Sequence, residues 1–277
     1  MSLPRLGGAN SHRPLAFKVR IVLESEVWRR MSGHSKWHNI KLRKGKADSA
    51  RGAAFTKLSK EIILAAKGGS ADPEANHRLK MAVEKARANN MPQDNIKRAI
   101  SRGSGVGNEK EIEEIRYEGH GPAGIAVVVD AATDNRNRTA SELRFLFSRN
   151  DGALGETGSV GWMFDARGLI EVDPAGLDED TLTERALVDG VIDVRYGEPT
   201  EIVTEPGVLA ATRTAIEKNG LKVISMQLGV VAKVPTSPQG DETAKVLAFL
   251  DALDEHEDVQ RVYTNVEFDD AQLEALA

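Results

Sequence analysis

Apolar positions along the chain follow two rhythms, a period near 3.6 up to about residue 104 and a period near two in much of the remainder. Phe55, Leu58, Ile62 and Ala65 fall on one side of a helix that Asp48 is placed to cap and Gly68-Gly69 to stop, with Lys57, Lys60 and Lys67 on the opposite side. Asp72-Pro73 has the form of an N-cap and first-turn proline for a second helix reaching about Asn89. Its inward positions are Ala75, Leu79, Ala82, Val83 and Ala86, and its outer face carries Lys80 and Arg87. A third helix begins near Pro92 and ends at Gly103, with Ile96 and Ile100 inward and Lys97, Arg98 and Arg102 toward solvent. Three helices with short joints predict a small orthogonal bundle.

A Gly/Ser joint over 103–108 is expected to let this bundle reorient against the rest of the chain. Residues 112–118 then alternate like a strand, 119–124 turn, and 125–131 form a buried apolar strand. The turn has either the form of a hairpin loop or that of an anion cradle. A helix carrying Leu143, Leu146 and Phe147 comes next, closing near Asn150-Asp151-Gly152. Residues 158–164 read as a strand and 165–168 as a turn into another strand at 169–172. From Leu169 the elements run strand, helix (178–189), strand (191–196), strand (200–204), helix (206–219), strand (221–228), which is the βαββαβ, ferredoxin-like plan. The strands and helix before this unit and the helix (241–255) and strand (259–266) after it are left to form a second sandwich.

The expected fold is α+β: an N-terminal three-helix bundle followed by two ferredoxin-like α/β sandwich domains, the third domain inserted in the second. Residues 31–104 make the basic helical domain, 105–166 plus 235–277 the discontinuous second domain, and 167–234 the inserted third. Residues 1–30 read as a disordered or mis-started extension, faintly like an Arg-rich transit peptide. The expected location is cytoplasmic, or mitochondrial if that segment is a transit peptide.

Charge changes this picture more than composition does. The net charge of -5 over 277 residues conceals a strong polarity: 31–104 carry 16 Lys and Arg against 6 Asp and Glu, a net of +10, whereas 105–277 carry 15 against 34, a net of -19. A polyanion attracts the first segment and is repelled by the second. The acids of the body, among them Asp178-Glu179-Asp180 and Glu255-His256-Glu257-Asp258, read as solvated charge. The absence of cysteine excludes disulfides, thiolate catalysis and Cys-ligated zinc, and no apolar run is long enough for a bilayer, so no membrane partner is expected.

The candidate chemistry concentrates at Gly33-His34-Ser35-Lys36-Trp37-His38-Asn39-Ile40-Lys41-Leu42-Arg43-Lys44-Gly45-Lys46, where cations, an indole and two imidazoles occur without a carboxylate. Cations hold phosphates while a Trp stacks on a base, so His34, Lys36, Trp37, His38, Lys41, Arg43, Lys44 and Lys46 are candidate nucleic-acid contacts. Arg51, Lys57, Lys60, Lys80, Arg87, Lys97 and Arg98 extend that surface over the helices. No helix shows the Arg, Asn and Gln cluster that base-edge readout in a major groove requires, so phosphate and shape contacts are expected. His34 and His38 lie four apart, but with neither Cys nor nearby carboxylate no metal is expected. Asn135, Arg136, Asn137 and Arg138 at a helix start are a candidate anion site, or else a plain cap with arginines paired to nearby acids. Gly158-Ser159-Val160-Gly161 lacks the spacing of a nucleophile elbow, and His120 and His256 have no predicted partner. No catalytic residue, cofactor or small-molecule ligand is expected.

These motifs carry a resemblance to a known family. Gly33-His34-Ser35-Lys36-Trp37, Asn39-Ile40-Lys41, Phe55-Thr56-Lys57-Leu58, Asn90-Met91-Pro92, Tyr117-Glu118-Gly119, Thr133-Asp134-Asn135-Arg136-Asn137-Arg138-Thr139 and Trp162-Met163-Phe164 occur in the order seen in the YebC/PmpR family. The chain departs from that pattern at Leu42, Ala53 and Ala153. The resemblance implies three domains and a role in gene expression, either as a DNA-binding transcriptional regulator or as a ribosome-associated translational activator that binds ribosomal RNA, the role of mitochondrial relatives. On the stacking reading, Trp37→Ala lowers affinity for a single-stranded oligonucleotide by roughly five- to 150-fold, the equivalent of about 1–3 kcal/mol per stacked base, as measured by fluorescence anisotropy.

Overall fold

In the computed structural model, residues 49–106, 110–197 and 199–268 are described. Helix α1 (Ser49–Lys67) packs with α2 (His77–Ala88) and α3 (Gln93–Gly103). The inward residues are Leu58, Ile62 and Ala65 from α1, Leu79, Ala82, Val83 and Ala86 from α2, and Ile96 and Ala99 from α3. Helix α1 buries more than one face: Ile62 to Ala66 are five consecutive buried residues, because the helix is covered by its bundle partners on one side and by the rest of the protein on the other. Ile112 and Ala132, from the body, belong to the same apolar cluster.

Helix α2 starts later than its Asp-Pro signal indicates. Asn76 is the N-cap, accepting from the Leu79 N–H at 3.1 Å, and its amide donates to the carbonyls of Ala65 and Ser70, both at 2.8 Å. Asp72 instead closes a turn, accepting from the Glu74 N–H at 3.0 Å, and Ala75 is exposed. Asn76 wins because one side chain satisfies the new helix and ties down the loop leaving α1.

The body contains two four-stranded antiparallel sheets. The first has the order β3-β1-β2-β8, with β1 (Glu113–His120), β2 (Ala126–Thr133), β3 (Ala153–Leu154) and β8 (Val259–Thr264). Helices α4 (Arg136–Arg149) and α7 (Asp241–Glu255) cover one face through Leu143, Phe147, Phe249 and Leu250. The second sheet has the order β5-β6-β4-β7, with β4 (Phe164–Asp173), β5 (Val191–Arg195), β6 (Thr200–Thr204) and β7 (Lys222–Ala232). Helices α5 (Glu179–Ala186) and α6 (Leu209–Lys218) lie on it. In the second sheet the last strand of a βαββαβ path sits beside the first, as in a split βαβ arrangement. The first sheet follows a different path, with β1 and β2 joined as a hairpin, and it is completed by β8 from beyond the second sheet.

The continuous apolar run at 125–131 has a simple physical basis. Val127 and Val129 point toward α4 and α7, whereas Ala126 and Val128 join Phe164, Leu169, Val203 and Ala232 in a core between the two sheets. A strand buried on both faces becomes continuously apolar.

Three expected features are corrected. Residues 165–168 are not a turn: β4 runs unbroken through Gly168, which pairs with Thr204 on one side and Leu228 on the other. Residues 158–163 are not a strand, because the Glu118 carboxylate captures their backbone N–H groups and Gly161–Met163 forms a 3-10 turn. Nor is Gly103 a free joint. It closes α3 against α1, where an added Cβ would meet the Ile63 carbonyl and lie 2.7 Å from Ala66 Cβ. Gly103→Ala therefore forces two helices apart and is expected to lower unfolding free energy by about 1–3 kcal/mol in urea denaturation.

Candidate nucleic-acid interface

The helical domain's cations divide into two sets. Arg87, Lys97 and Arg98 are exposed, and none forms an ion pair with a described residue. Lys80 is half-exposed and pairs with Glu74 at 3.0 Å. His34, Lys36, Trp37, His38, Lys41, Arg43, Lys44 and Lys46 lie outside the described residues, as does the side chain of Arg51. Between α2 and α3, Asn90 and Gln93 are exposed beside Arg87 and Lys97 in the sequence, and they add amide groups that helical periodicity did not single out.

Lys57 and Lys60 belong to the other set, and their expected place on an outward face is corrected. Lys57 donates to the Asp254 carbonyl at the end of α7, with the Asp254 carboxylate 3.5 Å away. Lys60 donates to the Glu257 carbonyl at 3.0 Å and forms an ion pair with Asp258. The helix face opposite the bundle core is cationic because it docks on acid from the body. Lys67 likewise pairs with Glu111 at 2.7 Å and donates to the Ile112 carbonyl at 3.1 Å.

Asp258 is the centre of this contact. Its side chain is 0% exposed, and besides Lys60 it accepts from Arg138 at 2.9 and 3.2 Å and from the Thr139 hydroxyl at 2.6 Å. Its carbonyl accepts from the Ala132 N–H at 2.8 Å. Burial opposes ionisation, yet the hydrogen bonds from Lys60, Thr139 and Arg138 outweigh it and hold the carboxyl down at about 2. The reading of this acid as solvated surface charge is overturned.

The candidate anion site at the start of α4 resolves in the same way. Asn135 is the helix N-cap, accepting from the Arg138 N–H at 3.2 Å. Arg138 turns inward to Asp258, Arg136 lies 4.0 Å from Glu113, and Asn137 is exposed. The anion held by this arginine is the protein's own carboxylate, so Asn135 to Arg138 do not form an open phosphate seat. His256, expected to lack a partner, faces Glu142 at 3.0 Å and accepts from the Asp258 N–H at 3.1 Å. Glu142, His256 and Asp258 bring their ligand-type atoms within 4.8 Å of one another, but the positive charge balancing Asp258 comes from Lys60 and Arg138.

Further pairs fasten the bundle. Arg102 donates to the Lys110 carbonyl at 2.9 Å, Arg78 meets Glu114 at 2.6 Å, and His77 of α2 contacts Arg213 of α6. A cleft of about 580 Å³ lies where the helices meet both sheets, but its charges are matched within its own walls. Arg116 bonds to Asp130 at 2.7 and 2.9 Å, Lys85 lies 3.2 Å from Glu61, and Arg261 is 3.8 Å from Glu61. Among the described residues of the helical domain, the unpaired basic charge that remains for a partner is on α2 and α3. No described helix is long and apolar enough to cross a membrane.

A helical domain displaying basic residues, locked onto an acidic two-sheet body, defines the class of protein. Residues 35–106 match the family description "TACO1/YebC protein N-terminal domain", and residues 112–266 match "TACO1/YebC second and third domain". The chain belongs to the TACO1/YebC family. It is 47% identical over 249 residues to a "Probable transcriptional regulatory protein" of Herpetosiphon aurantiacus, covering 89% of this chain and 99% of that relative. Another protein so named, from Moorella thermoacetica, is 48% identical over 250 residues, covering 89% and 99%. The crystal structure of a conserved hypothetical protein from Aquifex aeolicus is similar with a TM-score of 0.75 and 40% identity, over 80% of this chain and 93% of that one.

Asp258→Asn is expected to destabilise the protein by about 1.5–3 kcal/mol near neutral pH, the scale of hydrogen bonds to charged groups. The folded carboxyl lies below its ordinary value of 3.8, so its contribution is complete above about pH 4 and is lost as pH falls through about 2. Urea denaturation of both proteins should therefore show a stability difference that shrinks over that window.

Proposed function

We propose that this protein is a nucleic-acid-binding regulator of gene expression that acts in the cytoplasm as a DNA-binding transcriptional regulator of the YebC/PmpR type. The observation that carries the reading is the segregation of charge, with +10 over 31–104 against -19 over 105–277. Exposed Arg87, Lys97 and Arg98 support it, because their charge is not consumed by described acids. Contacts of this kind are made to phosphates, which position a protein on a duplex without reading its sequence. The relatives' name supports regulation of transcription.

A second reading rests on Trp37. An indole set among Lys36, Lys41, Arg43 and Lys44 suits unstacked RNA, which favours a ribosome-associated translation factor that binds ribosomal RNA. Crosslinking in cells, with sequencing of both the DNA and the RNA recovered, separates the two. Promoter DNA without ribosomal RNA sinks the translation reading, and ribosomal RNA without DNA sinks the transcription reading.

Both readings use the same basic surface. Replacing Lys36, Lys41, Arg43 and Lys44 with Glu, or Arg87, Lys97 and Arg98 with Glu, should weaken binding and flatten its salt dependence. Each phosphate that is no longer neutralised lowers the slope of log K against log salt by about 0.9 for duplex DNA or 0.7 for a single strand. An unchanged slope in both variants places the binding face elsewhere.

A further inference from the structure

The loop from β3 to β4 presents a large aromatic ring to solvent. Trp162 is 69% exposed within the 3-10 turn Gly161–Met163. The turn is held from beneath by Glu118, a buried residue of β1 that accepts from the N–H groups of Val160 at 2.9 Å and Gly161 at 2.6 Å. From the side, the Lys233 ammonium donates to the Trp162 carbonyl at 2.8 Å, and the Lys233 N–H donates to the Met163 carbonyl at 2.9 Å. The indole N–H is also satisfied within the loop, donating to the Ser159 carbonyl at 3.2 Å. The ring's one polar atom is thus occupied while its apolar surface stays open, and Val234, next to Lys233, is exposed as well. An ordered, solvent-facing Trp is the composition of an interface anchor, since large rigid aromatics contribute much contact area at little cost in conformational entropy.

The surrounding charge selects the partner. Burial disfavours ionised Glu118, but backbone N–H groups of Gly158, Val160 and Gly161 outweigh that and hold its carboxyl below the ordinary range, so a negative charge lies under the turn. Glu156 in the loop is exposed, and Asp165 and Glu205 flank the start of the second sheet. Asp165 and Glu205 are balanced by the neighbouring cations, Lys233 lying 3.5 Å from Asp165 and Arg167 lying 3.1 Å from Asp165 and 3.8 Å from Glu205, which leaves Glu156 and the buried Glu118 as the loop's acids without an ion pair to a described residue. Beyond them, residues 105–277 carry a net of -19. That field repels a phosphate backbone and attracts a cation, and a guanidinium both carries the required charge and lies flat on an indole face.

We propose that Trp162 anchors a docking surface for an arginine-rich segment of a partner protein. The surface is built from the loop between β3 and β4 and from Lys233 and Val234, and the proposal does not depend on which nucleic acid the basic helices contact.

The test uses the full-length chain, Trp162→Ala and Trp162→Phe, titrated at fixed salt against a labelled Arg-Gly repeat peptide, a Lys-Gly repeat of equal charge, and a labelled oligouridine. The Arg peptide should bind more tightly than the Lys peptide. Trp162→Ala should raise its Kd roughly two- to thirty-fold, the range of a cation–π contact from exposed to desolvated. Trp162→Phe should retain part of the affinity, and oligouridine binding should be unchanged. Circular dichroism of both variants establishes that the fold is kept. The proposal is overturned if Trp162→Ala leaves the Arg-peptide Kd unchanged, if the two peptides bind alike, or if the loss falls on oligouridine instead. It is equally overturned if sedimentation shows that Trp162 holds two copies of this chain together and the peptide titration is indifferent to it.

Discussion

A single buried carboxylate joins the parts of this protein. Asp258 lies in the turn between α7 and β8 and takes hydrogen bonds from Lys60 on α1 and from Arg138 and Thr139 on α4. A charge without solvent is costly unless its hydrogen-bonding capacity is filled, and here the donors come from separate elements. Each is held in place by the others. Removing any one leaves a buried charge facing too few partners, which makes the arrangement specific to this docking of helices on sheet.

The same contact alters the meaning of the charge polarity. Along the chain, the basic helices and the acidic body are two electrostatic modules, one drawn to polyanions and one repelled. In three dimensions part of that polarity is spent inside the molecule, where Lys57, Lys60, Lys67 and Arg78 meet carboxylates or carbonyls of the body. Among the described residues the outward-facing remainder is narrower, with Arg87, Lys97 and Arg98 on the helices and, on the body, the exposed ring of Trp162.

Packing between the sheets imposes the second constraint. β2 is apolar on both faces because α4 and α7 lie on one and the second sheet on the other, and β8 reaches it only after the chain has completed that second sheet. Residues 164–232 are therefore a finished layer against which the first sheet closes. Glu118, the polar exception at the end of β1, is retained there by the backbone N–H groups that it organises in the loop bearing Trp162.

Much of the fold was legible in local sequence. The helical period of α1 to α3, the apolar run of β2 and the order of elements from β4 to β7 arise from propensity and side-chain spacing, which act over a few residues. Where the local reading failed, a distant partner had intervened. Gly103 resembled a hinge, yet it is small because α1 passes beside it. Gly168 resembled a turn, yet β4 continues because β6 and β7 pair with it on both edges. The arginines at the start of α4 resembled an anion seat until Asp258, 120 residues further on, supplied the anion. By itself the sequence determined the element types, the segregation of charge and the composition of the basic surface, since these are properties of neighbouring residues. Only the tertiary structure decided which charges cancel and which remain exposed, because pairing and burial depend on residues far apart in the chain.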